Sequence, residues 1–354
     1  MIKLLHTADW HLGARFRGLP PEKAAEKRQE QGRLLELLGE LGRECDLALL
    51  AGDLLDRPDG EGAPLKALRD ALEEMAVPVF IAPGNHDFIN PESPYETMAW
   101  PSNVHIFKKP VPEFAELPGL SCRVWGAGYG SMDCPGLLED FRAAGPEPVQ
   151  LMVLHGDMVS AGSPCCPVTR AQAARSGLSY LALGHIHKAG SLLAGDTLCA
   201  WPGCPMGRGL DETGEKGAFL TELPEGKLRF QPLGLGRYED LAVEAGEDPL
   251  ASVLEALPPD TRRDVYRITL TGPWEPVDTE RLQEALAPRF FDLRLRDRTE
   301  LPRELWREAG ADSLEGVYFR LLRDAAETGE DREVLTLAAR ISRAILEGRE
   351  VKLP

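Results

Sequence analysis

Short apolar runs at residues 2–5, 47–51, 77–82, 151–154 and 180–183 alternate with stretches of helical periodicity through the first two thirds of the chain. Runs of this length, bounded by Gly, Pro and Asp, predict strands, and their alternation with helical segments predicts a layered α/β domain. Between the first two runs, residues 22–41 are rich in Glu, Ala, Lys and Leu and predict a helix with Gly42 as its C-terminal cap. Leu65, Leu68, Leu72 and Met75 recur at helical spacing in the next connection, giving one apolar face to lay on a sheet.

The texture changes in the Gly/Leu/Pro stretch at 232–236, so residues 1–236 are expected to form one domain. Beyond it, 238–243, 265–271 and 290–296 read as strands separated by helices at 249–257 and 279–287, a small βαβαβ unit spanning 237–299. Residues 300–354 read as a helical hairpin. Leu314, Val317, Tyr318, Leu321 and Leu322 make one stripe, and Leu335, Ala338, Ile341 and Ile345 make another after a break at Gly329. No internal repeat and no G-x-x-x-x-G-K-[ST] phosphate loop is present, so the chain itself is not expected to hydrolyse ATP.

Composition narrows the class. With 354 residues, 43% of them hydrophobic, the chain has the length for about two domains and a large core. Charges or Gly/Pro interrupt every apolar run, so no membrane span is expected, and the N-terminus reads as a strand and not a signal peptide. The expected location is the cytoplasm. Seven cysteines without a C-x-x-C pair fit reduced thiols, Cys165-Cys166 included. The formal charge of −17 argues against a free-standing protein that grips nucleic acid by bulk electrostatics; a DNA role needs local basic patches or a partner.

Five polar clusters follow directly on the five runs: Asp9-Trp10-His11, Gly52-Asp53, Gly84-Asn85-His86-Asp87, His155-Gly156-Asp157 and Gly184-His185-Ile186-His187. Open α/β sheets build their sites at the carboxyl ends of strands, so these residues are expected to converge. Five of the seven histidines fall in the clusters, leaving His6 and His105 as structural residues. Oxygen and imidazole donors suit Mn, Fe or Zn, and they are too many for one tetrahedral ion. Two ions are the natural reading, with Asp53 as the bridging carboxylate; such pairs activate water for attack on phosphorus.

The blocks D-x-H, GD-x-x-D, GNHD, HGD and GHIH, in this order, resemble the signature of the calcineurin-like metallophosphoesterases. The resemblance implies an αββα sandwich followed by a small α+β capping domain and the hairpin. It also implies one metal held by Asp9, His11, Asp53 and His187, and a second by Asp53, Asn85, His155 and His185. His86 would then be the catalytic histidine, steadying the phosphate or protonating the leaving oxygen, with Asp87 orienting its ring. Within that superfamily the opening TADWHLG and the run from GNHD through 91–95 resemble the SbcD-type DNA repair nuclease subunits. This closer resemblance implies a Mn-dependent 3′-to-5′ exonuclease and single-strand endonuclease acting on DNA, a homodimer, and partnership with an SbcC-type coiled-coil ATPase.

Several readings stay open at this stage. The same site in a small-molecule or nucleotide phosphodiesterase or phosphatase is the rival activity, and a non-catalytic tether of DNA ends is a rival of another class. The stripe at 335–345 is either the partner's docking face or internal packing. Arg15 and Arg17, with Lys23, Lys27 and Arg28, either meet a phosphate backbone or are merely solvated.

Overall fold

The computed structural model describes residues 1–348 except 61, 161, 273, 275, 276, 300–302, 329 and 330. The break expected at Gly329, the expected start of the hairpin at residue 300, and residues 349–354 lie outside these. The chain divides into two compact units, Met1–Tyr238 and Glu239–Pro354.

In the first unit the strands are β1 (Ile2–Thr7), β2 (Leu47–Leu50), β3 (Val79–Ile81), β4 (Val104–Ile106), β5 (Glu113–Leu117), β6 (Cys122–Gly126), β7 (Val149–His155), β8 (Tyr180–Gly184), β9 (Gly190–Ala194), β10 (Thr197–Trp201), β11 (Gly217–Leu223) and β12 (Lys227–Pro232). They form two six-stranded sheets, ordered β12-β11-β1-β2-β3-β4 and β5-β6-β7-β8-β10-β9. Four strands of each sheet run parallel: β1, β2, β3 and β4 in the first, β6, β7, β8 and β10 in the second. Parallel strands covered on both faces read as continuous apolar runs, and β2, β7 and β8 are buried at every position.

One core joins the sheets face to face. Leu4, Leu49 and Phe80 from the first pack with Val124, Leu151, Val153 and Ala182 from the second. His6 lies within this layer. It ties β1 to β8 through the Tyr180 hydroxyl at 2.9 Å and the Leu183 carbonyl at 3.1 Å, and burial lowers its pKa to about 3. Of the helices α1 (Pro21–Arg43), α2 (Ala63–Glu74), α3 (Pro94–Thr97) and α4 (Arg170–Arg175), the first two pack on each other beside β1. Gly42 is not the cap of α1: it lies inside the last turn, where a Cβ would come within 2.8 Å of Met75 Cγ, so its role is close approach to the neighbouring helix. The layered α/β arrangement expected from the apolar runs is the one the chain adopts.

The second unit holds a three-stranded sheet of β13 (Tyr238–Glu244), β14 (Val265–Thr271) and β15 (Asp292–Asp297), the last two parallel, with α5 (Pro249–Ala256) and α6 (Thr279–Leu286) in the connections. Its core is Val253, Ile268, Leu270, Leu282, Leu286 and Leu293. After it come α7 (Leu314–Thr328) and α8 (Arg332–Leu346). On α7 the inward face is Gly316, Phe319 and Ala326; of the stripe, Leu314, Val317, Tyr318 and Leu321 are turned outward, Leu314 at 88% and Leu321 at 66% exposure, while Leu322 packs on the inner side. Phe319 and Ala326 share a small core with Leu305, Trp306 and Ala339, which the periodicity of α7 alone does not single out. No helix among the described residues is long and apolar enough to cross a membrane.

Candidate metal centre

Each of the five clusters sits where a strand ends. Asp9 and His11 follow β1, Gly52-Asp53 follows β2, and Gly84-Asn85-His86-Asp87 follows β3; His155 closes β7, and His185 follows Gly184 at the end of β8. Because the parallel strands of both sheets deliver their carboxyl ends to one edge, residues far apart in sequence meet there. Backbone bonds lock the loops together: Asp9 N–H donates to the Gly52 carbonyl and His11 N–H to the Asp53 carbonyl, each at 2.9 Å. Asp9, His11, Asp53 and His185 all adopt positive φ, of 56°, 44°, 52° and 81°. Left-handed backbone at non-glycine residues is costly and gathers where function over-determines it.

The side chains face one another as a ligand set. Asp53 Oδ2 lies between two histidines, 3.7 Å from His11 Nε2 and 3.5 Å from His155 Nε2. His187 Nε2 is 3.8 Å from Asp9 Oδ1, and Asn85 Oδ1 is 2.9 Å from His155 Nε2. The His185 ring stands 5.2 Å from that of His155, and the His185 amide donates to both Asp9 carboxylate oxygens. Asp9, His11 and His187 are close enough to share one ion, and so are Asp9, Asp53 and His155. His11, Asp53 and His86 form a third such group, so proximity alone does not separate His86 from the ligands.

The electrostatics of the site favour a bound cation. Asp9 and Asp53 are each 1% exposed, and burial raises both; Asp9 rises to about 7 against the pull of His187. Burial lowers His155 and His185 to about 4 and His11 well below the usual imidazole range, so these rings are neutral, with lone pairs to offer. His11 is fully buried, yet neither ring nitrogen makes a hydrogen bond; Nδ1 is 3.3 Å from Asp56 Oδ1 without bonding geometry. An orphaned buried imidazole among carboxylates is costly in an ion-free site and ordinary beside a cation. The donor set fits two divalent ions.

Glycine makes room for this geometry. A Cβ on Gly84 would collide with Asp53 Oδ1 and lie 2.7 Å from His155 Cγ. Gly84→Ala is expected to push both side chains off position, costing about 1–3 kcal/mol as overpacking does. Denaturant midpoint and bound-metal content check this; wild-type values for both would refute it.

The structure corrects the expectation for Asp87. Its carboxylate accepts from the amides of Asp53, Leu54, Leu55 and Gly84 and from the Tyr95 hydroxyl at 2.7 Å. Among the described residues nothing bonds it to the His86 ring. Asp87 shapes the two loops, while the ring is held by its Nδ1, 3.2 Å from the Asp56 carbonyl. Lys27 is also corrected: at 1% exposure and paired with Glu30 at 2.6 Å, it cannot meet a ligand. Arg15 and Arg17 are exposed, and their charges act on Asp56.

Three residues at this edge stand outside the clusters. Glu212 accepts from His187 Nδ1 at 2.8 Å, Arg208 forks onto Glu212, and Cys204 approaches the His187 carbonyl at 3.6 Å. Burial pushes the Cys204 thiol up to about 12, and its sulfur lies close enough to His187 and Glu212 for the three to share an ion. Burial resists charge on His187, but the Glu212 bond and Asp9 outweigh it and raise its pKa. The only signal for the pair in the sequence is its i, i+4 spacing, which many helical surfaces share.

Comparison with known proteins agrees with this geometry. Residues 2–189 match the calcineurin-like phosphoesterase family. The chain is 30% identical over 276 residues to the uncharacterized metallophosphoesterase YhaO of Bacillus subtilis (strain 168), covering 73% of this chain and 67% of YhaO. A stretch of 95 residues is 39% identical to the DNA double-strand break repair protein Mre11 of Aeropyrum pernix, covering 25% of this chain and 21% of Mre11. The family match runs from β1 through the GHIH cluster and so takes in every strand end that builds the centre; the chain belongs to the calcineurin-like phosphoesterases, a family of metal-dependent phosphoesterases.

Proposed function

We propose that this phosphoesterase is a DNA phosphodiesterase of the SbcD type, a 3′-to-5′ exonuclease and single-strand endonuclease in double-strand-break repair with an SbcC-type coiled-coil ATPase. The observation that carries the chemistry is the placement of His86. Its amide donates to Asp53 Oδ1 at 2.8 Å, and its half-buried ring stands 4.7 Å from that of His11. Since the Asp56 carbonyl can only accept, Nδ1 carries a proton, and Nε2 is left to face a substrate. From there it can steady a phosphoryl oxygen or serve the departing one. Asp9, His11, Asp53 and His187 would hold one divalent ion and Asp53, Asn85, His155 and His185 the other, Mn²⁺ first and Fe or Zn as alternatives. When bound, such ions polarise phosphoryl oxygens and lower the pKa of a water.

The likeness to Mre11, a double-strand break repair protein by name, supports DNA as the substrate. Arg15 and Arg17, exposed beside Asp56, are the candidate contacts to its backbone. With this reading go the assignments 1–236 nuclease, 237–299 cap and 300–354 partner-binding hairpin, and assembly as a homodimer. The outward apolar face of α7 supports a docking role for the hairpin, since exposed apolar stripes mark interaction sites. The net charge of −17 favours the second reading, a small-molecule or nucleotide phosphodiesterase, because polymeric DNA is repelled. Hydrolysis with Mn²⁺ separates them: the first expects shortening of end-labelled duplex DNA, while cleavage of a chromogenic phosphodiester with intact DNA, even with the ATPase added, selects the second.

A further inference from the structure

Arg208 and Glu212 lie beyond the residues matched to the family, yet they close one side of the metal centre. Arg208 Nη2 donates to Glu212 Oε1 at 2.6 Å, Nε sits 3.2 and 3.3 Å from the two carboxylate oxygens, and the Arg208 amide donates to Oε2 at 2.7 Å. Glu212, 6% exposed, in turn accepts from His187 Nδ1 at 2.8 Å.

A planar guanidinium fixed along its Nε–Nη2 edge has its Nη1 amino group placed for it. That group is ion-paired with Asp56, 3.6 Å from its Oδ1, too long for a hydrogen bond. Asp56 is the residue whose carbonyl holds the His86 ring and whose carboxylate lies 3.3 Å from His11 Nδ1. Nη1 therefore carries donors toward the space bounded by His11, His86 and Asp56, and the Arg208 side chain is 20% exposed there. A brace for Glu212 alone would need only the edge already engaged.

We propose that Arg208 is a substrate-binding residue, its Nη1 amino group donating to a non-bridging phosphate oxygen while Glu212 holds the guanidinium in place. This deepens the phosphodiesterase reading and rests on it. One charge-assisted donor lost from a phosphate site weakens binding about tenfold, ~1.4 kcal/mol. Because the fork is specific to guanidinium, lysine restores charge without geometry.

The test uses the full chain loaded with Mn²⁺, with bound metal measured after desalting and inorganic phosphate titrated calorimetrically into wild type, Arg208→Gln and Arg208→Lys. Expected are full metal content in both variants and phosphate affinity about tenfold weaker in Arg208→Gln, with Arg208→Lys recovering only part. Phosphate affinity within twofold of wild type in a fully loaded variant overturns the proposal. So does metal loss whose effect on phosphate vanishes at saturating Mn²⁺, which would make Arg208 a support for His187. If Arg208→Gln does not fold, Arg208→Lys decides on the same criteria. Wild type that binds phosphate but leaves DNA intact even with the ATPase added sinks the DNA reading, and the comparison of variants still decides Arg208.

Discussion

Asp53→Asn keeps the chain folded and abolishes its thermal response to Mn²⁺. Asp53 is placed toward both halves of the centre, its Oδ2 3.7 Å from His11 Nε2 and 3.5 Å from His155 Nε2. Neutralising it removes the anionic donor each ion would share, so both sites weaken together. In the wild type, ligand binding to the folded state alone contributes about 2.7 kcal/mol per site at roughly a hundredfold excess over Kd. Asparagine retains an oxygen at Oδ1, so the His86 amide keeps its acceptor.

The ion-free comparison has the opposite sign. Asp9, Asp53 and Asp87 are all buried, and burial raises the pKa of each. Removing one such charge relieves the others, so with chelator present Asp53→Asn is expected to melt at or above the wild-type temperature. With Mn²⁺ the order reverses. Thermal melts of both proteins, with chelator and with Mn²⁺, read the crossing; a variant that gains as much from Mn²⁺ as wild type would show that Asp53 bridges nothing.

The centre is legible in the sequence to the extent that its residues hang on local pattern. Asp9, Asp53, Asn85, His155 and His185 each follow an apolar run, and a strand buried on both faces announces itself by that run. The strands at the sheet margins do not. β6 carries the buried Arg123, which is held by Glu116 and Glu147, and β11 pairs with β1 across more than two hundred residues. For Asp87, adjacency to His86 misleads. His86 and Asp87 lie in the bend that follows β3, where the Asp87 carboxylate turns to the amides of Leu54 and Leu55. Arg208 and Glu212 have no run before them, and only the folded chain brings their pair against His187.

His86→Ala is expected to retain both metals and lose about 10²–10⁴-fold in kcat with little change in KM, the range for removing a positioned acid–base group. The His86 bond to Asp53 is made by the backbone amide, so alanine preserves it, and the ring contributes nothing to holding Oδ1. Yet His86 lies close enough to His11 and Asp53 to take an ion with them. Metal content therefore decides what the rate alone cannot. Two ions per chain with hydrolysis gone places His86 at the substrate, as its Nδ1 bond to the Asp56 carbonyl implies by leaving Nε2 to face inward. One ion lost would make His86 a ligand, and the group that serves the departing oxygen would then have to be sought among Asp56 and Arg208.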